Sequence, residues 1–229
     1  MKNLRWPFFR PFTLFVLLAG VLLSAATESK AAKEEAMEAE LRAIRQGDVD
    51  GSPVLAGLQL LVMRDGEVAY EHAGGYARLA DGAAEPLNMD HKPRIASISK
   101  LVAALGLMRL VEDGRADLDT DVSHYLGFAL RNPAFPDQAI TLRMVLSHTS
   151  SIRDGGYYWL VSGQRFEDFF RPGSPHWNDG AHFASGKGQA PGRYFAYANL
   201  NFGVVAAVIE RLSGERFDRY MRFRVLEPL

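Results

Sequence analysis

Hydrophobic positions along the chain change period several times, and each period predicts an element. From Ala31 to Gln46 the chain is rich in Ala, Glu and Arg, with apolar residues at Met37, Leu41 and Ile44. That three-to-four spacing predicts an amphipathic helix packed on a sheet. From Gly57 to Leu79 the pattern shortens. Leu58, Leu60, Leu61 and Val62 precede Asp65-Gly66, and Val68 and Tyr70 follow. Asp-Gly between two apolar runs predicts a β-hairpin, because both turn residues must take positive φ. Around Arg94 the period lengthens again. Ile98, Leu101, Val102, Leu105, Met108, Leu110 and Val111 cover most of a helical circumference, which predicts a buried central helix ending near Gly114. A last apolar helix is predicted from Phe202 to Leu212, closed at Gly214.

Two regions depart from these patterns. Lys2, Arg5 and Arg10 open the chain with no acid before Glu28, an apolar run follows from Phe12 to Leu23, and Ser24, Ala25 and Ala26 come next. This is the layout of a secretory signal cut after Ala26, leaving 27–229 as one domain and an exported, periplasmic or extracellular protein. An uncleaved N-terminal anchor is the alternative, although the run is shorter than the roughly 20 residues of a spanning helix. The membrane is therefore expected to be a partner only through this segment. Residues 151–192 hold 8 of the 21 glycines, two of the three tryptophans (Trp159, Trp177) and a set of Tyr and Phe residues. Two readings of that stretch stand: a cleft wall or lid, or an irregular region with its own small core.

Composition narrows the function. The 229 residues are 48% hydrophobic and 23% charged, enough for a sizeable core and unlike a disordered chain. A net charge of −1 without a long basic run gives no electrostatic footprint for nucleic acid. With no cysteine, the chain has no disulfide scaffold, zinc-thiolate site, cysteine nucleophile or lipidation site. Asp117, Asp119 and Asp121 begin like a calcium loop, but Val122 and Phe128 stand where Gly and Glu are needed. His176, Asp179 and His182 fit no His-Glu-x-x-His pattern, so neither metal nor cofactor is expected.

The chemistry concentrates in two short segments. In Arg94-Ile95-Ala96-Ser97-Ile98-Ser99-Lys100, Ser97 and Lys100 are three residues apart at the opening of a helix, hence one turn apart on one face. A serine hydroxyl becomes a competent nucleophile when a neighbouring amine takes its proton, and burial of Lys100 would favour the neutral amine. The bland reading makes Ser97 the N-cap and sends Lys100 outward to water. In Tyr194-Phe195-Ala196-Tyr197-Ala198-Asn199, Tyr197 and Asn199 can share one side of an extended turn. A phenol near a lysine can relay a proton, and a carboxamide can orient that lysine or hold a substrate amide. The bland readings are a core aromatic for Tyr197 and an N-cap for Asn199.

Together with Leu110-Val111-Glu112-Asp113-Gly114, Leu118-Asp119, Ile140-Thr141-Leu142 and Leu146-Ser147-His148-Thr149-Ser150, these segments resemble the serine β-lactamase and penicillin-binding protein superfamily. The class C β-lactamases, D-alanyl-D-alanine carboxypeptidases and related esterases are the most similar branch. The resemblance runs over most of residues 57–229 and implies an α/β (α+β) sandwich: an antiparallel sheet flanked by helices, plus a helical region. It implies that Ser97 is acylated, Lys100 accepts its proton, Tyr197 acts as general base or acid with Lys100, and Asn199 contacts Lys100 and a substrate amide. The Ser97 N–H would supply half of an oxyanion hole, and His148 would be structural. The substrate would be a β-lactam, a D-alanyl peptide or a small ester or amide. Two departures stand out. Ser151 replaces the glycine that usually ends the family's Leu-Ser-His-Thr-Ser-Gly block, and a positive φ there would strain it. The family's third motif, Lys-Thr-Gly or His-x-Gly, does not occur between Asn199 and Leu229. The expectation is therefore an N-terminal portion lacking its C-terminal strands, with an open sheet edge. The alternative is a truncated, non-catalytic member that binds cell-wall peptide or a protein partner. Oligomeric state is left open.

Overall fold

The computed structural model describes residues 30–80 and 83–228, and the signal or anchor segment lies outside them. No helix among the described residues is long and apolar enough to cross a membrane. The chain divides into two compact units that meet in sequence between Arg94 and Ile95.

The first unit is a helix on a three-stranded antiparallel sheet. Helix α1 spans Lys30–Gln46, and strands β1 (Gly57–Arg64), β2 (Glu67–Ala80) and β3 (Ala83–Pro86) lie in the order β1-β2-β3. The Asp65-Gly66 hairpin forms as its sequence predicts: the two residues take φ of 53° and 83°, the double left-handed turn that matches strand twist. The first half of β2 pairs with β1 and the second half with β3, so among the described residues β1 has a strand neighbour on one side only. Leu41 is the buried residue of the α1 stripe. Polar contacts reinforce its packing on β2: Glu38 Oε1 accepts from the Tyr70 hydroxyl at 2.5 Å and lies 2.9 Å from His72 Nδ1. The bond to that carboxylate pushes the Tyr70 phenol up to about 12.

The second unit is helical and carries the main core. A 3₁₀ turn, Ala96–Ile98, leads into α2 (Ser99–Glu112), followed by the short helices α3 (Val122–Leu126) and α4 (Leu142–Leu146), then α5 (Asn199–Ser213) and α6 (Phe217–Met221). Asp121 caps α3 by accepting from Ser123 N, and Thr141 caps α4 by accepting from Met144 N. An isolated bridge pairs the two capping residues. Helix α5 is the hub, packing against α2, α3, α4 and α6. It buries Leu200, Val204, Val205, Val208 and Ile209 among Leu107, Leu126, Ile140 and Phe169. Its helix begins three residues before Phe202, at Asn199.

Two sequence expectations meet a more detailed answer. Helix α2 is not buried all round. Ala103, Gly106, Leu107 and Leu110 face the core, while Ile98, Leu101 and Leu105 on the other side are at least half exposed. The helix is apolar on both sides, but the elements of this unit cover one. Residues 151–192 are irregular apart from two 3₁₀ turns, Phe166–Phe169 and Asn178–Gly180. They form no separate small core: Phe169, Phe170 and Phe183 join the main core, with Tyr157, Phe166 and Trp177 packed against it.

Candidate active site

The second unit brings Ser97, Lys100, Tyr197 and Asn199 together. Ser97 sits in the 3₁₀ turn just ahead of α2, immediately after Ala96, whose φ of 44° is costly for a residue with a Cβ. The backbone strain therefore falls beside the proposed nucleophile. One helical turn on, Lys100 Nζ donates to Ser97 Oγ at 3.1 Å. Tyr197 reaches the same oxygen from the other segment, its hydroxyl donating to Ser97 Oγ at 2.7 Å. Between Tyr197 and Asn199, Ala198 is fully buried and extended, with φ −142° and ψ 133°. The extended backbone puts both neighbouring side chains on the Ser97 side. Asn199 Oδ1 then accepts from Lys100 Nζ at 2.8 Å.

These contacts do not match the capping and core-aromatic readings of the same residues. Neither Ser97 nor Asn199 is an N-cap: Ile98 stands at the cap of α2 and Ala198 at that of α5, without a side-chain cap bond at either. Lys100 is half-buried and turned inward, and Tyr197 is 49% exposed rather than a core aromatic. Its phenol is lowered from the ordinary tyrosine range, first by Lys100 and then by Ser97, both of which favour the phenolate. The Lys100 ammonium also lies 4.9 Å from the Tyr197 ring centre.

His148 holds the Tyr197 ring from behind, stacked at 4.5 Å and 28°. Its Nδ1 accepts from Ala198 N at 3.2 Å and lies 3.1 Å from Asn201 Nδ2. Burial first, and the Lys100 charge second, lower the His148 pKa, so the neutral ring that can accept these bonds is favoured. Its φ of 55° and that of Ser151, 67°, are both left-handed. The expected strain at Ser151 is thus present. It is held by buried Asn132, whose amide donates to Ser151 Oγ at 2.9 Å and to the Ala184 carbonyl at 2.7 Å.

One residue of the site has no counterpart in the sequence reading. Asp154 accepts from Asn199 Nδ2 through Oδ2 at 2.8 Å and from Leu200 N through Oδ1 at 3.0 Å. No period or motif marks it; its sole signal is position, six residues after His148 and before Gly155-Gly156. Its neighbours Arg153 and Gly155 line an open cleft of about 610 Å³ with Asn132, Trp177, Asp179 and Phe183. Trp177 and Phe183 of the aromatic stretch line that cleft, and Ser97, Lys100, Tyr197 and Asn199 do not. His176 and His182 are engaged elsewhere: His176 Nδ1 pairs with the Tyr157 hydroxyl, and His182 lies between two backbone carbonyls.

A serine oxygen within hydrogen-bond reach of a lysine amine one turn away and of a phenol on a second segment places a nucleophile beside two proton-transfer groups. The Beta-lactamase family model matches residues 35–229, and the chain belongs to that family. It is 28% identical over 179 residues to penicillin-binding protein 4* of Bacillus subtilis, covering 74% of this chain and 35% of that protein. It is 31% identical over 186 residues to the esterase EstB of Burkholderia gladioli, covering 76% of this chain and 45% of that protein. The chain thus spans less than half the length of these relatives. Among solved structures, a penicillin-binding protein homologue from Pyrococcus abyssi is similar over 87% of this chain and 43% of its own, at 25% identity and a TM-score of 0.60. The hydrolase EstCE1 shares the fold over 86% of this chain and 52% of its own, with a TM-score of 0.65. The mixed α/β architecture expected from the sequence is that of these neighbours.

Proposed function

We propose that this chain carries the nucleophile and proton-transfer half of an exported serine hydrolase. The observation that carries this reading is the convergence on Ser97 Oγ of Lys100 Nζ at 3.1 Å and the Tyr197 hydroxyl at 2.7 Å. With one member of the Tyr197–Lys100 pair deprotonated, as phenolate or as neutral amine, that member takes the Ser97 proton. Oγ bonds to the substrate carbonyl carbon, and the leaving nitrogen or oxygen departs with a proton returned by the pair. Water then attacks the acyl-serine and loses its proton to the same pair; the bond from the carbonyl carbon to Oγ breaks, Oγ takes that proton back, and the acid is released. Asn199 keeps Lys100 in reach of both oxygens. The Ser97 N–H at the entry to α2 is one oxyanion donor; the resemblance places the second on a later strand, and no strand follows Asn199 among the described residues. The substrate class is a β-lactam, a D-alanyl peptide or a small ester or amide, bound without metal or cofactor. The basic start and apolar run before Ala26 support export.

Labelling with a fluorescent penicillin and with a fluorophosphonate tests the reading. Either probe is expected to label the full chain, and Ser97→Ala to abolish the labelling. Labelling that survives Ser97→Ala contradicts the role of Ser97. A folded chain inert to both probes, yet binding cell-wall peptide, supports the non-catalytic reading instead.

A further inference from the structure

We infer that Asp154 is a positioning residue that sets which end of the Asn199 carboxamide faces Lys100; the inference rests on the acyl-transfer reading above. A carboxamide is nearly symmetric in shape, and its two ends are opposite in chemistry. Only the oxygen end can accept from the Lys100 ammonium. The Asp154 carboxylate, an acceptor at both oxygens, takes the amide end at 2.8 Å and so leaves Oδ1 to Lys100, also at 2.8 Å. Its second oxygen binds Leu200 N at 3.0 Å, in the first turn of the 15-residue helix α5, where a negative charge is favoured. Asp154 thus reads as the outer link of a chain running through Asn199 and Lys100 to Ser97.

Asp154 is itself held. Its carbonyl lies 3.1 Å from Nδ1 of the fully buried His182, whose Nε2 lies 2.9 Å from the His176 carbonyl. Arg153 N donates to the His182 carbonyl at 2.8 Å, and Asn178 Nδ2 to the Gly155 carbonyl at 2.8 Å. Gly155 has φ 59°, and a Cβ there would sit 2.4 Å from His182 Nδ1, so the chain closes onto the imidazole where glycine alone fits. Both flanks of the carboxylate are pinned, which is what a fixed amide orientation requires.

Asp154→Asn tests this with almost no change of shape. The new amide cannot satisfy both partners: either its NH2 meets Leu200 N–H, or it meets Asn199 Nδ2. In the second case Asn199 turns and points a donor at Lys100. The expected result on the full chain is an acylation rate by fluorescent penicillin roughly ten- to hundredfold lower, the value of a hydrogen bond to a charged group. The acid limb of the acylation pH profile is expected at lower pH, with the thermal midpoint little changed. Asp154→Ser retains an acceptor for Leu200 N–H while releasing Asn199, and is expected to slow acylation in the same direction. An Asp154→Asn protein that acylates at the wild-type rate with the wild-type pH profile overturns the inference and leaves the role of Ser97 standing. If the wild-type chain is not acylated at all, the acyl-transfer reading fails separately. The positioning claim is then decided by carbon-13 NMR of Lys100. A Lys100 side-chain signal that changes in both Asp154→Asn and Asp154→Ser supports it, and a signal unchanged in both overturns it.

Discussion

Two of the regions with positive φ angles in this protein have them for different reasons. At the β1–β2 turn they fall on Asp65 and Gly66, residue types that tolerate them, and nothing lies within 4 Å of where a Gly66 Cβ would be. The turn is a local solution to a local problem. In the segment from His148 to Gly155 they fall on half-buried His148, buried Ser151 and half-buried Gly155, against side chains from distant parts of the chain. Each is tied by a long-range contact: His148 to Ala198 and Asn201, Ser151 to Asn132, and the Asp154–Gly155 peptide to His182. Strain that local sequence does not favour persists where tertiary bonds over-determine it, and here it surrounds the candidate nucleophile's partners.

That contrast can be broken by substitution. Asn132→Ala removes a buried amide and leaves Ser151 Oγ and the Ala184 carbonyl without their donor. A loss of about 3 kcal/mol is expected from urea unfolding, because two buried acceptors lose a partner. Acylation should slow along with it as the Ser151 loop relaxes. Gly66→Ala meets no steric obstacle and is expected to cost about 1 kcal/mol, the local price of a side chain in left-handed backbone. Its acylation rate should be unchanged. Equal losses at the two positions would erase the distinction between a tolerated turn and a held loop.

The smallest effect is in the pH dependence of stability. The folded-state pKa of His148 is lowered, so below the unfolded histidine value of about 6.5 the unfolded chain binds the proton first. Stability is therefore fully present above that pH and is lost as pH falls through it. Thermal midpoints measured from pH 7.5 downward should show this loss, and it should be smaller in His148→Asn. A variant with the same pH slope as the wild type would remove His148 from the account.

Legibility in the sequence follows the range of the interactions. The Asp65-Gly66 hairpin and the one-turn Ser97–Lys100 spacing were readable because turn chemistry and helical period are local. Tyr197 and Asn199 were readable as a pair because one extended residue separates them. Their approach to Ser97, across about a hundred residues of sequence, rests on helix α5 packing against α2. Asp154 was not readable, since its meaning lies in an amide 45 residues away. The exposed side of α2 was not readable either. An apolar residue reports that it can be buried, and which residues are covered depends on the elements that surround the helix.

The central claim is that Ser97 is the acylated residue. Mass spectrometry of the peptides of the full chain after reaction with a penicillin tests it most directly. The account predicts the mass of one opened penicillin on the peptide containing Ser97, and none in Ser97→Ala. The adduct on another residue, or an unmodified Ser97 peptide in a chain that has reacted, would contradict it.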